Sequence, residues 1–168
     1  GQDTERISVD WKELEGDGAS LNGRQPATTG GERALVVFQS RATDLVARDT
    51  NGMQDIFLRD LALGTTTRIV FDISGNETDG DSFGASITPD GRFVVFLSFA
   101  TLLVKGDKNG VEDVFVLDRK SGSIERVSVD SNEVEADARS FNAAISDDGN
   151  LVAFGSFASN LVPNDGNG

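Results

Sequence analysis

Short apolar runs alternate with polar turns along the whole chain, and helical periodicity is missing. RFVVFLS (Arg92 to Ser98) and LVAFGS (Leu151 to Ser156) are rich in β-branched and aromatic residues. RFVVFLS follows Asp90-Gly91 and LVAFGS follows Asp148-Gly149, as a strand leaving a tight turn does. DIFLRD (Asp55 to Asp60) and DVFVLD (Asp113 to Asp118) alternate. Ile56 and Leu58, or Val114 and Val116, fall on one face, with Phe57 and Phe115 on the other. A turn containing Gly64 or Gly122 leads to a further strand, TTRIVFD or IERVSVD, and ASIT or AAIS supplies a fourth. Four short antiparallel strands joined by Gly and Asp turns predict one small sheet per unit. No amphipathic helix is predicted. ATDLV, ATLLV and ASNLV read as single helical turns at most.

The units repeat. DTNGMQD begins at Asp49, DKNGVED at Asp107 and DGNG at Asp165, each step being 58 residues. Phe38, Phe96 and Phe154 keep the same step, as do Ser40, Ser98 and Ser156, and Arg68 and Arg126. The earliest part slips by four: Arg6 to Arg68 and Ser20 to Ser82 are each 62 residues apart. The slip falls where NGRQPATTGGER replaces the tighter TPDGR turn, and insertions of this kind belong in loops. The units run approximately over 4–65, 66–123 and 124–168, within one domain, 1–168.

A small four-stranded sheet cannot bury both faces alone, so it must stack on its neighbours. Four twisted antiparallel strands per unit favour radial stacking, because β-solenoid repeats are much shorter. The fold class expected is therefore all-β, with β-propeller blades. SITPDGRFVVFLS and AISDDGNLVAFGS resemble the Ser-x-Asp-Gly-(aromatic)-x-(Ala/Val)-Phe signature of TolB-type, WD-like β-propeller repeats. The continuation NLVPNDGNG, and VEDVFVLDRKSGSIERVSVDS in the second unit, is similar to a subgroup of secreted bacterial propellers with an Asp-rich loop before the third strand. The first unit departs from this pattern, with Glu32 and Arg33 where the second has Asp90 and Gly91.

Just under three units fit into 168 residues, whereas propellers have about four to eight blades. An incomplete ring is expected. The chain opens in TERISVD, which matches the final-strand segment IERVSVD, and stops inside the third Asp-rich loop. Two explanations stand: part of a longer propeller, or a protomer whose open edges pair with copies of itself.

Composition narrows the chemistry. Lys and Arg total 15 against 28 Asp and Glu, a net charge of −13. That balance disfavours a nucleic-acid partner and suits divalent cations or simply a soluble, self-repelling surface; the acidic loops suit a cationic or cation-bridged ligand. There is no histidine or cysteine, which removes the commonest general base, the Ser-His-Asp triad and thiolate metal sites. Acids are plentiful, but no spacing singles out a glycosidase pair. The apolar runs are too short to cross a membrane as helices.

The motif Asp-x-Asn-Gly-x-x-Asp places Asp49, Asn51 and Asp55, then Asp107, Asn109 and Asp113, in closely spaced sets, and Asp165 and Asn167 begin a third. Calcium takes about six to eight hard oxygen ligands, and two close carboxylates repel unless a cation separates them. These eight residues are the candidate metal ligands, for a structural Ca2+. The loops resemble shortened calcium loops of integrin-type propellers, with Ala47 and Lys105 where those carry a further Asp. The competing reading is a plain Asn-Gly hairpin with Asp caps and no metal.

Lesser candidates also recur. Asp17, Asp79 and Asp137 read as loop caps, Arg6, Arg68 and Arg126 as partners of a neighbouring acid, and Trp11 as packing or a sugar platform. The expected function is a non-catalytic extracellular or cell-surface module, with the periplasm as a further compartment, for binding, scaffolding or self-assembly. Its partners would be the rest of a longer propeller chain or copies of itself. Two other classes stay open: the propeller portion of a secreted hydrolase with its active site elsewhere, and a protomer of a fibre or ring joined by strand exchange.

Overall fold

Val94, Val95, Phe96 and Leu97 are all buried in the computed structural model, which describes residues 5–10, 12–21, 34–163 and 165. A strand that is apolar on both faces needs a cover on each. Val94 and Phe96 pack towards the preceding sheet, and Val95 and Leu97 towards the following one. That single strand sets the architecture, because its sheet is the middle layer of three.

Ten strands and no helix occur among the described residues. β1 (Ser20–Leu21), β2 (Leu35–Ser40), β3 (Asp55–Asp60) and β4 (Thr65–Arg68) form the first sheet in that order. β5 (Ser82–Ile87), β6 (Phe93–Ser98), β7 (Asp113–Asp118) and β8 (Ser123–Arg126) form the second in the same order. β9 (Ser140–Ile145) and β10 (Val152–Ser156) form a two-stranded third sheet. All pairings are antiparallel. Registers repeat with the sequence: Ser40 faces Asp55 and Phe38 faces Phe57, while Ser98 faces Asp113 and Phe96 faces Phe115. The described residues do not close into a ring.

Two cores lie between the sheets. Val37, Ile56 and Leu58 meet Val94, Phe96 and Phe115 in one. Val95, Leu97 and Val114 meet Ala143, Val152 and Phe154 in the other. Within each complete sheet the paired phenylalanines stack, Phe38 on Phe57 and Phe96 on Phe115, with ring centroids 5.7 Å apart in both. The recurring serines meet across the first two strands of each sheet: Ser20 with Ser40 at 2.8 Å, Ser82 with Ser98 at 3.0 Å and Ser140 with Ser156 at 3.0 Å.

Three expectations are revised. The strand read in TTRIVFD stops at Arg68, and the one in IERVSVD stops at Arg126. Ile69 still donates to Ile56 of β3 at 3.1 Å, and beyond it the chain leaves the sheet edge: Asp72 accepts the Ser74 and Asn76 amides, and Ile73 donates to Leu102 in the connection after β6 at 2.9 Å. TERISVD holds no strand in its described residues; Val9 makes one bridge, to Glu15, and its counterpart Val129 bridges Glu135. ATDLV and ASNLV are bends and ATLLV is a hydrogen-bonded turn at Thr101 and Leu102; none continues into a helix, and in each an aspartate from the preceding segment accepts the amide of Thr43, Thr101 or Ser159. The remodelled turn at Glu32 and Arg33 lies outside the described residues.

Candidate functional site

Asp55 opens β3 and Arg68 closes β4, opposite Phe57. Their ends are neighbours, and the Asp-rich loop arrives at the same place. The Arg68 guanidinium lies among three carboxylates: Nη2 is 3.1 Å from Asp49, Nε 3.6 Å from Asp55 and Nη1 2.7 Å from Glu77. It is thoroughly buried, with side-chain exposures of 3% for Arg68, 3% for Asp49 and 0% for Asp55. The second sheet repeats the cluster. Arg126 Nη1 is 3.5 Å from Asp107, 3.5 Å from Asp113 and 2.8 Å from Glu135.

The asparagines complete each loop with nitrogen towards the carboxylate. Asn51 Nδ2 donates to Asp55 at 3.2 Å and to the Thr78 carbonyl at 3.2 Å, while its Oδ1 accepts the Met53 amide at 3.0 Å. Asn109 does the same with Asp113 at 2.8 Å, Ala136 at 3.0 Å and Val111 at 3.0 Å. Gly52 and Gly110 turn the loops with φ of 69° and 65°, a conformation glycine adopts without a Cβ penalty. Thus Asp49, Asn51 and Asp55 are together, as are Asp107, Asn109 and Asp113. Asp165 is half-buried at the end of the described chain, and Asn167 lies outside the described residues, as does Trp11. Among the described residues no group of three or more acidic side chains is arranged to hold a metal ion.

The sequence reading missed the glutamates. Glu15, Glu77 and Glu135 each stand nine residues after the recurring arginine, and each pairs with it: Arg6 with Glu15, Arg68 with Glu77 and Arg126 with Glu135. Their spacing was visible, but glutamates on exposed turns resemble solvated charge. Asp17, Asp79 and Asp137 are caps as expected from turn chemistry. Asp17 accepts the Thr43 amide at 2.7 Å and hydroxyl at 2.8 Å. Asp79 holds Thr101 and Asp137 holds Ser159 in the same two-pronged way.

Three carboxylates around one guanidinium leave excess negative charge, and burial sharpens it. Burial, aided by the Asp49 charge and opposed by Arg68, pushes Asp55 up to about 6. Burial and then the Asp113 charge push Asp107 up to about 6. Burial also acts on Glu77, but hydrogen bonds from Thr50 and Arg68 outweigh it and bring it down to about 2. The signs oppose. A carboxyl with a folded value near 6 and an ordinary value of 3.8 favours the fold fully below pH 3.8 and loses that contribution as pH rises through 6. Glu77 contributes above its ordinary 4.5, and that part is lost as pH falls towards 2. Melting temperature is therefore expected to peak near pH 4–5 and to fall towards neutrality, and Asp55→Asn should flatten the neutral limb. Thermal unfolding across this range checks it.

A cleft of about 800 Å3 opens beside the second sheet, walled by Ile69, Phe71, Ile73, Leu103, Leu117 and Ile124. The matching place in the first sheet is polar and filled. Arg59, 2% exposed, reaches Glu13 at 2.6 Å and Thr66 at 3.3 Å. One repeat later these positions are Leu117, Gly75 and Ile124, so the pair that fills the first site is lost as a set. Gly75 and Glu13 share a left-handed backbone, with φ of 80° and 61°, and a Cβ at Gly75 meets no atom within 4 Å, so a glutamate has room there at the cost of backbone strain. The combined Leu117→Arg, Gly75→Glu and Ile124→Thr variant should refill the cleft. Reduced fluorescence of an apolar dye against the unchanged chain would show it; unchanged dye binding would count against this account.

No family model matches the chain, and no curated protein matches it. Among solved structures the chain is similar to TolB from Acinetobacter baumannii, at 23% identity and a TM-score of 0.46, over 85% of this chain. The chain spans 28% of the length of that protein. No helix among the described residues is long and apolar enough to cross a membrane.

Proposed function

We propose that these residues are part of a β-propeller, two blades and half of a third, serving as a non-catalytic binding or scaffolding module outside the cytoplasm. The observation that carries this reading is the repeated sheet. Two four-stranded sheets share strand order and register, and the second presents one face to each neighbour. A unit with an apolar surface on both faces is built for serial stacking.

The recurring acids act as structural groups. Asp49, Asp55, Asp107 and Asp113 hold the loops around Arg68 and Arg126, and Asp17, Asp79 and Asp137 tie the start of the connection after the second strand of each sheet to the segment before its first strand. Arginine is the cation of the Asp-rich loops, in the role that the sequence reading gave to calcium. It is supported by the donor set: the Asn51 and Asn109 amide nitrogens, rather than their oxygens, face Asp55 and Asp113, and a guanidinium already touches both carboxylates of each loop.

One set of assays tests this reading. At fixed ionic strength, calcium and chelator should leave the melting temperature unchanged, and glycoside and peptide substrates should not turn over. A saturable calcium-dependent rise, abolished by Asp107→Ala, would return the loops to a metal-binding role. Turnover abolished by substituting one of these acids would overturn the non-catalytic reading.

A further inference from the structure

Among the described residues the third sheet carries the front half of the repeat without the back half. Among the described residues β10 pairs with β9 alone, whereas β2 and β6 each pair on both edges. Burial follows the missing neighbour. Every residue of β2 is buried, and so is every residue of β6 after Phe93. No residue of β10 is buried, and Ala153 is exposed. Phe38 and Phe96 each lie under a stacked ring at 5.7 Å. Phe154 occupies the same place, half-buried against the Val95, Leu97 and Val114 core. Leu151 just before β10 is 73% exposed, while its counterpart Leu35 is 7% exposed.

The chain contains two worked examples of what covers this edge. DIFLRD covers β2 and DVFVLD covers β6, both entering with Asp opposite Ser and Phe opposite Phe. Each continues through a glycine turn into an outer strand ending in arginine, Thr65–Arg68 or Ser123–Arg126. Backbone groups on an open edge give affinity to an added strand, and side-chain pockets select it.

We propose that the open edge of β10 accepts a β-hairpin from outside these 168 residues, whose first strand reads Asp-apolar-Phe-apolar-x-Asp. It lies antiparallel, with Ser156 opposite the first Asp and Phe154 opposite the Phe. Its ring closes over Phe154 against the second sheet. A second copy of these residues is not the source, because β3 and β7 are already paired on both edges. This inference rests on the blade reading, since it assumes that the third sheet is built like the other two.

The test uses the chain as it is and a synthetic hairpin with the sequence of residues 113–130 as the probe. Amide exchange of the free chain should be slow in Val94 to Leu97 and fast in Val152 to Ser156. Saturating hairpin should slow the β10 amides by about tenfold or more. A hairpin with Lys in place of its Phe should bind about a hundredfold more weakly, since that ring fills the core contact. The inference is overturned if β10 is already protected in the free chain, or if the hairpin leaves β10 unprotected while β6 stays protected. Failure of the blade reading looks different: Val94 to Leu97 would exchange quickly before any hairpin is added.

Discussion

Arg68→Ala is expected to lower the stability of the chain by about 3–5 kcal/mol, the usual range for breaking a buried ion pair by removing one partner. The cost comes from what stays behind. Asp49 and Asp55 have side-chain exposures of 3% and 0%, so neither carboxylate can recover its hydration once the guanidinium is gone. Glu77 loses the same partner at its half-exposed position. Arg68→Lys should recover only part of the loss, because one ammonium cannot span three carboxylates as a planar guanidinium does. Arg41→Ala is the control. Its pairing with Asp81 is solvent-exposed on the arginine side, and such pairs contribute about 1 kcal/mol or less. Adding Asp55→Asn to Arg68→Ala should restore part of the stability by discharging one orphaned acid. Urea unfolding of the four variants measures all of this. If Arg68→Ala costs no more than Arg41→Ala, arginine does not hold the loop.

The repeat and its strands were legible because they depend on local signals. Asp90-Gly91 and Asp148-Gly149 make matching turns, with the glycine amide bonded back to Thr88 and Ser146 at 2.8 and 2.9 Å. The alternation in DIFLRD assigned Ile56 and Leu58 to one face and Phe57 to the other; Ile56 and Leu58 join the core between the first two sheets, while Phe57 packs on the opposite face with Phe38, Ala42 and Leu45. The partner of the Asp-rich loops was harder to read. A carboxylate pair announces that it needs a cation, yet it does not say which one. Arg68 lies 13 residues beyond Asp55 and Glu77 a further nine, and only the β3–β4 hairpin folds them onto the loop. The recurrence of Arg68 and Arg126 was noted, but their burial was not foreseen. Burial follows from tertiary packing that single-residue spacing does not carry. The cleft was hidden for a similar reason. Glu13 is far from Arg59 and Thr66 in the chain, and the joint replacement of the three by Leu117, Gly75 and Ile124 has meaning only once the segment before each sheet lies across it.

Phe96→Ala and Phe154→Ala remove the same residue of the repeat and should have very different consequences. Phe96 is fully buried between the first and second sheets and stacks on Phe115. Its loss combines the transfer energy of the ring with a cavity that neighbouring β-strands cannot collapse, about 3–5 kcal/mol, and the aromatic pair adds about 0.5–1.5 kcal/mol to what is forfeited. Among the described residues Phe154 is half-buried, on a strand with one paired edge and no ring stacked above it. Truncating it exposes less new surface, and the open side admits water where a closed core would keep a void. A cost of about 1 kcal/mol is expected, near the centre of the range for ordinary substitutions. The difference between the two is thus a direct reading of how far the third sheet is from a finished blade. Denaturant unfolding of both variants gives the comparison, and the added hairpin supplies its second half. With the hairpin bound, Phe154 acquires its stacking partner, and Phe154→Ala should then cost several times more than in the free chain. Equal costs for the two substitutions without the hairpin would mean that Phe154 is already enclosed, and that the third sheet is complete in some way other than the first two.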